Sequence, residues 1–245
     1  MPKFSIITCT KNSGLSVDET IKSLNRQNFR DFEHIFVDGG SIDNTQEICS
    51  KSINSKFFIE PQLSLYQALN FGIKKSTGEI IFFLHSDDQI VDDKLLNNIL
   101  DIFNQNNVQF IYSNIIMKKN FKLIRTWKSK KFLKKDIKNF QFPAHTSLFY
   151  KKDVFMKIGN FNTNYKISSD FEHLIRLFNS NLENYFYDKI TISMNYGGIS
   201  TKSIKNILFQ NYENYLILRK NNVNIIKVMK IFILKFFERL NQLKK

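Results

Sequence analysis

The stretch TGEIIFFLHSDD, running from Thr77 to Asp88, decides how this chain folds. Residues 79–84 form a short apolar run behind a helix-stopping Thr-Gly pair, which predicts a buried strand. The run ends at two adjacent carboxylates, Asp87 and Asp88. Because like charges repel, we expect a cation to hold them, and hard oxygen ligands suit Mg²⁺ or Mn²⁺. On spacing alone, a helix N-cap or a solvated turn explains the pair equally well.

Further apolar runs lie upstream at residues 4–10, 32–37 and 57–59. The segments between these runs carry apolar residues at helical spacing, so strands are predicted to alternate with helices over residues 4–103. This alternation predicts an α/β fold with a parallel sheet and helices on both faces. Ligands of such sheets bind beyond the carboxyl ends of the strands. We therefore expect three polar loops to converge: Thr10-Lys11-Asn12, Asp38-Gly39-Gly40-Ser41 and His85-Ser86-Asp87-Asp88.

The second half of the chain is less regular. A helix is predicted over residues 152–158, ended by Gly159, and another over residues 170–178. Strands are predicted at residues 108–112, 114–117, 121–127 and 146–150, the second and third as a hairpin. The predicted division is a catalytic domain, 1–202, with a nucleotide-binding half, 1–105, an acceptor half, 106–202, and a basic helical tail, 203–245.

The composition limits the chemistry of the partner. The 245-residue chain carries a net charge of +14, which calls for nucleic acid, a lipid surface or a phosphorylated substrate. The basic residues are spread out and match no zinc-finger, RNP or KH pattern, so we expect no nucleic-acid partner.

Several features predict a cytoplasmic location. No signal peptide opens the chain, and no apolar run reaches the roughly 18 residues of a membrane span. Cys9 and Cys49 lack metal-binding spacing and are expected to be reduced. Within residues 223–245, lysines interrupt strongly apolar residues, as in a cationic amphipathic helix. Such a helix either lies on the inner face of the plasma membrane or packs on the catalytic domain or a second subunit.

Five segments, in order, resemble the family 2 glycosyltransferases. They are SIITCTKNS (5–13), SLNRQNF (23–29), VDGGSIDNT (37–45), SLYQALNFGI (64–73) and TGEIIFFLHSDD (77–88). The fourth resembles the bacterial polysaccharide-assembly branch. The resemblance implies a GT-A fold, which is a Rossmann-like three-layer mixed sheet, with a C-terminal helical extension.

The same resemblance implies an activity. A hexosyl or N-acetylhexosaminyl group would move, with inversion, from a nucleotide-diphosphate sugar such as a UDP-sugar to an acceptor hydroxyl. The acceptor would be a glycan or a lipid-linked molecule in surface glycan biosynthesis. A divalent cation would offset the charge that develops on the nucleoside diphosphate leaving group.

Individual roles follow from the resemblance. The nucleotide and donor would contact Thr8, Thr10, Asn12, Asp38, Gly39, Ser41, Asn70, Ser86 and Asp87. The cation, Mn²⁺ or Mg²⁺, would bind Asp87 and Asp88. His85 replaces the Asp or Asn of relatives and is either a ligand of the cation or only a hydrogen-bond partner of the donor. Gln67 replaces another Asp, which leaves the contacts to the donor sugar open.

The acceptor side is expected in the second half. The segment SSDFE, 168–172, resembles the family segment that supplies the catalytic base, and Asp170 fits best, with Glu172 as the fallback. An ordinary Asp is ionised at pH 7 and can accept a proton, although an N-cap role for Asp170 is the alternative. His145 either orients the acceptor or the diphosphate, or packs against the core. The GGIST segment, 197–201, is either a loop over the phosphates or a plain turn.

Two other functions fit part of the pattern. A nucleotidyltransferase also binds a nucleotide and a metal at a sheet edge, but it releases pyrophosphate. A catalytically inactive nucleotide-sugar-binding relative would explain His85 and Gln67.

Overall fold

The computed structural model describes residues 1–119, 122–131, 142–195, 197 and 203–222. Its strands are β1 Phe4–Thr10, β2 Phe32–Asp38, β3 Ser55–Ile59, β4 Ile80–Phe83, β5 Gln89–Ile90, β6 Phe110–Lys119, β7 Lys122–Trp127, β8 Leu148–Lys151 and β9 Asn184–Asn195. Its helices are α1 Val17–Asn25, α2 Thr45–Cys49, α3 Leu65–Lys75, α4 Leu95–Gln105, α5 Asp153–Ile158, α6 Ser169–Asn179 and α7 Ile204–Lys220, with a 3-10 helix at His145–Ser147.

These strands form one mixed sheet in the order β3-β2-β1-β4-β8-β6-β9-β5, and β7 pairs with β6 outside that path. The first four strands in this order are parallel, as the strand–helix alternation predicts. β8 runs antiparallel to both β4 and β6, while β9 is parallel to β6. The register of β1 on β2 ends with Thr10 beside Asp38, which brings the first two polar loops to the same edge.

Successive residues of the strands point to opposite faces, and each face is covered by helices. Ile7 and Phe83 pack on one side with apolar residues of α3, α5, α6 and α7. Ile6 and Phe82 pack on the other side with apolar residues of α1 and α4. Strands that are buried on both faces appear as continuous apolar runs, which is why the sequence identifies β1, β2 and β4.

The second half differs from the prediction in three places. The strand expected from residue 146 begins at Leu148, because Ser147 donates from its backbone N–H and its hydroxyl to the Ala144 carbonyl and closes a 3-10 turn. The strands expected at 108–112 and 114–117 are one strand, β6. β9 was not predicted. The predicted hairpin turn at Lys119-Asn120 lies partly outside the described residues.

The C-terminal part is described only as far as residue 222, so residues 223–245 lie outside it. α7 falls within the predicted helical tail, and its Ile217 and Leu218 are fully buried in the core beside α6. Within the described ranges, no helix is both long and apolar enough to cross a bilayer. Cys9 and Cys49 are free thiols.

Candidate active site

Asp38 organises the loop that follows β2. Its Oδ1 accepts hydrogen bonds from the hydroxyls of Thr10 (2.7 Å) and Ser41 (2.6 Å). Its Oδ2 accepts from the backbone N–H groups of Gly40 (2.9 Å) and Ser41 (2.7 Å). The side chain is only 2% exposed. A carboxylate that already accepts four hydrogen bonds fixes the shape of the loop, whatever it contacts in addition.

The loops after β1 and β2 are joined directly. The Asn12 backbone N–H donates to the Ser41 hydroxyl at 2.7 Å, and the Asn12 side-chain oxygen accepts from the Ile42 N–H at 3.0 Å. Asn12 adopts a φ of 50°, a left-handed conformation that Asn tolerates better than most residues. Gly39 donates its N–H to the Thr10 carbonyl at 2.8 Å. The predicted donor-binding residues on these two loops therefore lie together.

Thr8 lies beneath this edge and is fully buried. Its hydroxyl donates to the Leu84 carbonyl at 2.6 Å, so the His34 Nε2, at 2.9 Å, must donate to Thr8. The other ring nitrogen of His34 then accepts from the Ser52 hydroxyl at 2.6 Å. Burial lowers the pKa of His34 to about 3, which agrees with a neutral ring. Thr8 thus ties β1 to the end of β4.

The loop after β4 meets the same edge. The Ser13 hydroxyl lies 3.2 Å from the Ser86 hydroxyl, and the Asp88 N–H donates to the His85 carbonyl at 3.0 Å. His85, Ser86 and Asp87 are half-buried at the end of the strand. The third predicted loop therefore joins the other two, and the expected convergence is confirmed.

Asp88 is fully buried, and neither carboxylate oxygen has a hydrogen-bond partner of normal geometry among the described residues. Burial raises the pKa of Asp88 well above its ordinary value, and the charge of Asp87 raises it further. The backbone N–H of Asn195 favours the ionised form of Asp88 and so lowers its pKa. A buried carboxylate without a partner is costly, and a bound cation would remove that cost.

The residues of this loop fit a divalent cation that takes its other ligands from a substrate. In the described part of the chain, no group of three or more His, Cys, Asp or Glu side chains could hold a metal ion by itself. Asp87 and Asp88 supply hard oxygen atoms, as Mg²⁺ and Mn²⁺ prefer when phosphates complete the coordination. Burial lowers the pKa of His85, with Asp87 opposing it, so a neutral ring suits either a metal bond or a hydrogen bond.

Asp170 lies in the first turn of α6, and Ser168, rather than Asp170, occupies the N-cap position. Oδ1 of Asp170 accepts the Phe171 N–H at 2.8 Å and lies 3.1 Å from the Tyr66 hydroxyl. Burial raises the pKa of Asp170, while the hydrogen bonds from Phe171 and Tyr66 lower it. A carboxylate whose pKa is raised is a stronger base than an ordinary Asp.

Glu172, the fallback base, is engaged in an ion pair. Its two carboxylate oxygens accept from Nε and Nη2 of Arg176 at 2.8 and 2.9 Å. Arg176 also donates to backbone carbonyls of Ile158, Gly159 and Asn160. The pair therefore fastens α6 to the end of α5.

Aromatic contacts connect the two sides of the site. The rings of His85 and His145 lie 6.1 Å apart, and the His145 ring lies 5.2 Å from Phe161. Phe161 is in turn 5.9 Å from Tyr66, which contacts Asp170. His145 is 8% exposed, and neither ring nitrogen has a hydrogen-bond partner in the part of the chain that the structure describes; burial lowers its pKa to about 3. His145 therefore lies between the carboxylate loop and the predicted base.

Asn70 on α3 pairs with the backbone of the segment between α5 and α6. Its side-chain amide donates to the Phe161 carbonyl at 2.9 Å and accepts from the Phe161 N–H at 3.0 Å. Gln67 accepts the Ser64 N–H at 2.9 Å and so closes the first turn of α3. The sequence prediction placed Asn70 against the donor, and the structure adds that both ends of its amide hold the Phe161 backbone.

Sequence reasoning did not single out Tyr66 and Glu213. Tyr66 stands in the quoted SLYQALNFGI segment, where it follows a helix-capping Ser64. Glu213 accepts three backbone N–H groups from the turn before α6. The one feature of the sequence that could have pointed to Glu213 is that it is an acidic residue in a helix whose other charged residues are basic.

Known proteins share this architecture. The structure of S. aureus TarS 1-349 in complex with UDP matches with a TM-score of 0.69 at 21% identity, over 93% of this chain and 68% of that chain. The mannosyltransferase PcManGT from Pyrobaculum calidifontis, in complex with GDP-Man and Mn²⁺, matches with a TM-score of 0.64 at 15% identity, over 90% and 64%. These likenesses concern the fold, and they confirm the GT-A prediction.

Sequence comparison gives the family. A PGL/p-HBAD biosynthesis glycosyltransferase of Mycobacterium bovis (strain BCG / Pasteur 1173P2) is 29% identical over 209 residues, covering 81% of this chain and 79% of that protein. An uncharacterized glycosyltransferase of Haemophilus influenzae is 33% identical over 119 residues, covering 46% and 47%. The family model described as glycosyl transferase family 2 matches residues 5–186. Since that match spans more than half of the chain, this protein belongs to glycosyl transferase family 2.

Proposed function

We propose that this glycosyltransferase moves a hexosyl or N-acetylhexosaminyl group from a UDP-sugar to an acceptor hydroxyl with inversion at the anomeric carbon. The observation that carries the proposal is the fully buried carboxylate of Asp88 beside Asp87, at the edge where three loops meet; within the described residues it has no hydrogen-bond partner of normal geometry. TarS has been crystallised with UDP and with UDP-GlcNAc, which supports a UDP-sugar as the first donor to test.

In this proposal the loops after β1 and β2 bind the nucleotide, and α6 supplies the base. Asp170 takes the proton of the acceptor hydroxyl as its oxygen bonds to the anomeric carbon. The bond from that carbon to the phosphate oxygen breaks on the opposite side, and the nucleoside diphosphate leaves. Asp87 and Asp88 would hold Mn²⁺ or Mg²⁺, with His85 as a further candidate ligand. When bound, such a cation offsets negative charge on the departing diphosphate.

A donor panel tests the donor and the cation together. We expect UDP and UDP-sugars to raise the thermal midpoint more than other nucleotides, and more with Mn²⁺ than without it.

Asp87→Ala should abolish both the metal dependence and the transfer, because it removes a proposed ligand of the cation. The fold should stay intact, because a half-buried side chain at a strand end contributes little to the core. Near wild-type turnover in Asp87→Ala would contradict the cation assignment. Release of pyrophosphate from a nucleoside triphosphate would identify a nucleotidyltransferase, and donor binding without turnover an inactive relative.

The base is tested by Asp170→Asn, which keeps the shape of the side chain but not its proton affinity. Turnover should fall by a factor on the order of 10² to 10⁴, with UDP affinity nearly unchanged. An equal loss of UDP affinity would instead indicate a donor-binding or structural role. NMR of the product sets the stereochemistry, and retention of the anomeric configuration would contradict the inverting mechanism.

We further propose peripheral contact with the anionic inner face of the plasma membrane, which would suit a lipid-linked acceptor. α7 supports this proposal through exposed apolar residues at every fourth position: Ile204 (77%), Leu208 (64%), Tyr212 (57%) and Leu216 (38%). Lys205, Arg219 and Lys220 are exposed on the same helix and favour anionic lipids. The following residues, 223–245, repeat this apolar and cationic composition.

Vesicle sedimentation tests the membrane contact. The protein should bind anionic vesicles at low salt, added salt should weaken the binding, and Leu208→Glu with Tyr212→Glu should reduce it severalfold. Met156→Glu is the matched control, since Met156 is an 87% exposed apolar residue on α5. Wild-type protein that ignores anionic vesicles at low salt would contradict the proposal.

A further inference from the structure

One buried glutamate, Glu213, accepts hydrogen bonds from three consecutive backbone N–H groups just before the predicted base. Glu213, on α7, is 4% exposed. Its Oε1 accepts the Lys166 N–H at 2.7 Å, and its Oε2 accepts the N–H groups of Ile167 and Ser168 at 2.9 Å each. Hydrogen bonds to a charged acceptor are among the stronger ones in proteins. Three consecutive amides on one carboxylate fix the direction in which the chain enters α6.

Glu213 acts from a helix that is itself anchored. Ile217 and Leu218, one turn further along α7, are fully buried in the core. On the other side of the turn, the Tyr66 hydroxyl lies 2.7 Å from the Ile167 carbonyl and 3.1 Å from Oδ1 of Asp170. The backbone of Ile167 is thus held by α7 through its N–H and by α3 through its carbonyl.

We propose that Glu213 is a positioning residue for the reaction, which holds the 166–168 turn so that Asp170 faces the acceptor hydroxyl with its carboxylate correctly oriented. This inference rests on the proposed role of Asp170 as the base. A displacement of about 1 Å at a reacting group can cost on the order of a hundredfold in rate. A residue that touches no substrate can therefore control turnover through the backbone.

The charge of Glu213 provides a readout beyond stability. Titratable groups face Asp170 from three packed elements: Tyr66 on α3, Tyr150 on β8 and Glu213 on α7. Burial is the largest cause that raises the pKa of Asp170, and the negative charge of Glu213 raises it as well. Removal of that charge should lower the pKa, so the acid limb of the kcat profile should move to lower pH.

The test is Glu213→Gln, which is isosteric but loses the charge and turns an amide nitrogen toward backbone donors. We expect kcat to fall ten- to a hundredfold, on the order set by misplacement of a reacting group, with the KM for the donor nearly unchanged. The acid limb of kcat should move to lower pH, and the amides of Lys166, Ile167 and Ser168 should exchange hydrogen faster. Glu213→Asp, which keeps the charge but shortens the side chain, should lower kcat without moving the acid limb downward.

Glu33→Gln is the matched control. Glu33 is also a buried glutamate that accepts backbone N–H groups, from Thr77 and Gly78, but it lies at the opposite end of the strands. The Glu33→Gln variant should lose stability without a change in the acid limb of kcat or in the hydrogen exchange of the amides at 166–168. If Glu213→Gln keeps wild-type kcat and an unchanged acid limb, or if Glu213→Asp does so where the Gln variant fails to fold, the inference is overturned. Asp170→Asn, assayed in parallel, separates the two proposals: wild-type turnover there overturns the base assignment and this inference together.

Discussion

At the scale of single residues, Tyr66 and Asp170 form the pair whose chemistry is most open to test. Burial raises the pKa of Asp170. The Tyr66 hydroxyl shares its single proton between the Ile167 carbonyl at 2.7 Å and Oδ1 of Asp170 at 3.1 Å, and the share on Oδ1 stabilises the ionised form of Asp170 and lowers its pKa. Tyr66→Phe should raise the pKa, so the acid limb of kcat should move to higher pH, opposite in direction to Glu213→Gln. The loss of the hydrogen bond to the Ile167 carbonyl should cost about 1 kcal/mol of stability. A pH–rate profile and a denaturant titration measure the two effects, and an unmoved acid limb would show that Tyr66 does not influence the proposed base, Asp170.

The chemical type of the site residues could be predicted, but their hydrogen-bond partners could not. Asp170 opens a helix beside a cluster of aromatic residues, where the resemblance placed the base. Thr8 and Asn70, in contrast, use their polar atoms on Leu84 and Phe161, which lie 76 and 91 positions away in the sequence. No local pattern encodes such a distant partner, so a prediction from sequence assigns these side chains to the ligand by default.

At the scale of elements, the close contact of α3 with β1 is set by Gly72. A Cβ atom at this position would lie 2.5 Å from Cγ2 of Ile7, and the β-branched Ile7 side chain has little freedom to move away. Gly72→Ala gains up to about 1 kcal/mol of helix propensity, but overpacking costs about 1–3 kcal/mol. With the full gain in propensity, we expect a net loss of up to about 2 kcal/mol in a denaturant titration, with a fall in turnover, because α3 carries Tyr66. Lys74→Ala, at an exposed position on α3, is the control, and a stabilised Gly72→Ala would contradict this packing.

The strands differ in how well each can be predicted from its own sequence. β1 matches its prediction to the residue, since nearly all of its side chains are buried and most of them are apolar or β-branched. β9 was missed because Asp188 and Lys189 interrupt its apolar pattern. The structure accommodates them with register shifts around Asn114, whose amide donates to Asp188 at 2.8 Å. A bulge that depends on a partner strand is not visible in the sequence of either strand.

At the scale of the whole molecule, the sheet topology of residues 1–105 could be predicted and that of residues 106–202 could not. Parallel strands must end at one edge, so the order of strands and helices alone brings Thr10, Asp38 and Ser86 together. In the second half, β8, β6 and β9 combine antiparallel and parallel pairing, which strand–helix alternation does not determine. The role of Glu213 also required the structure, because α7 reaches the 166–168 turn only through the tertiary fold.

The stability of the whole molecule in acid should depend on Glu33. Burial alone would raise the pKa of Glu33, but hydrogen bonds from Lys56, Ser5 and Thr77 outweigh it and lower the pKa from 4.5 to about 2. A carboxyl group whose pKa falls on folding stabilises the protein above its unfolded pKa, and that contribution disappears as the pH falls through the folded pKa. The free energy of unfolding should therefore decline between pH 4.5 and about 2. Glu33→Gln should remove at most about 3 kcal/mol at pH 7, a difference that shrinks over the same range.

Urea titrations at several pH values between 7 and 2 would measure this contribution of Glu33. Glu79→Gln is the matched control, because Glu79 also pairs with a lysine, Lys3 at 2.7 Å, but its side chain is 59% exposed. Exposed ion pairs contribute little because solvent screens them, so this variant should follow the wild-type curve at every pH. Glu33, unlike Glu79, also accepts hydrogen bonds from Ser5 and Thr77 in addition to its lysine, Lys56. These contacts join β1, β2, β3 and the turn before β4. A constant difference between wild type and Glu33→Gln from pH 7 to pH 2 would mean that the carboxylate charge contributes nothing and that only its shape matters.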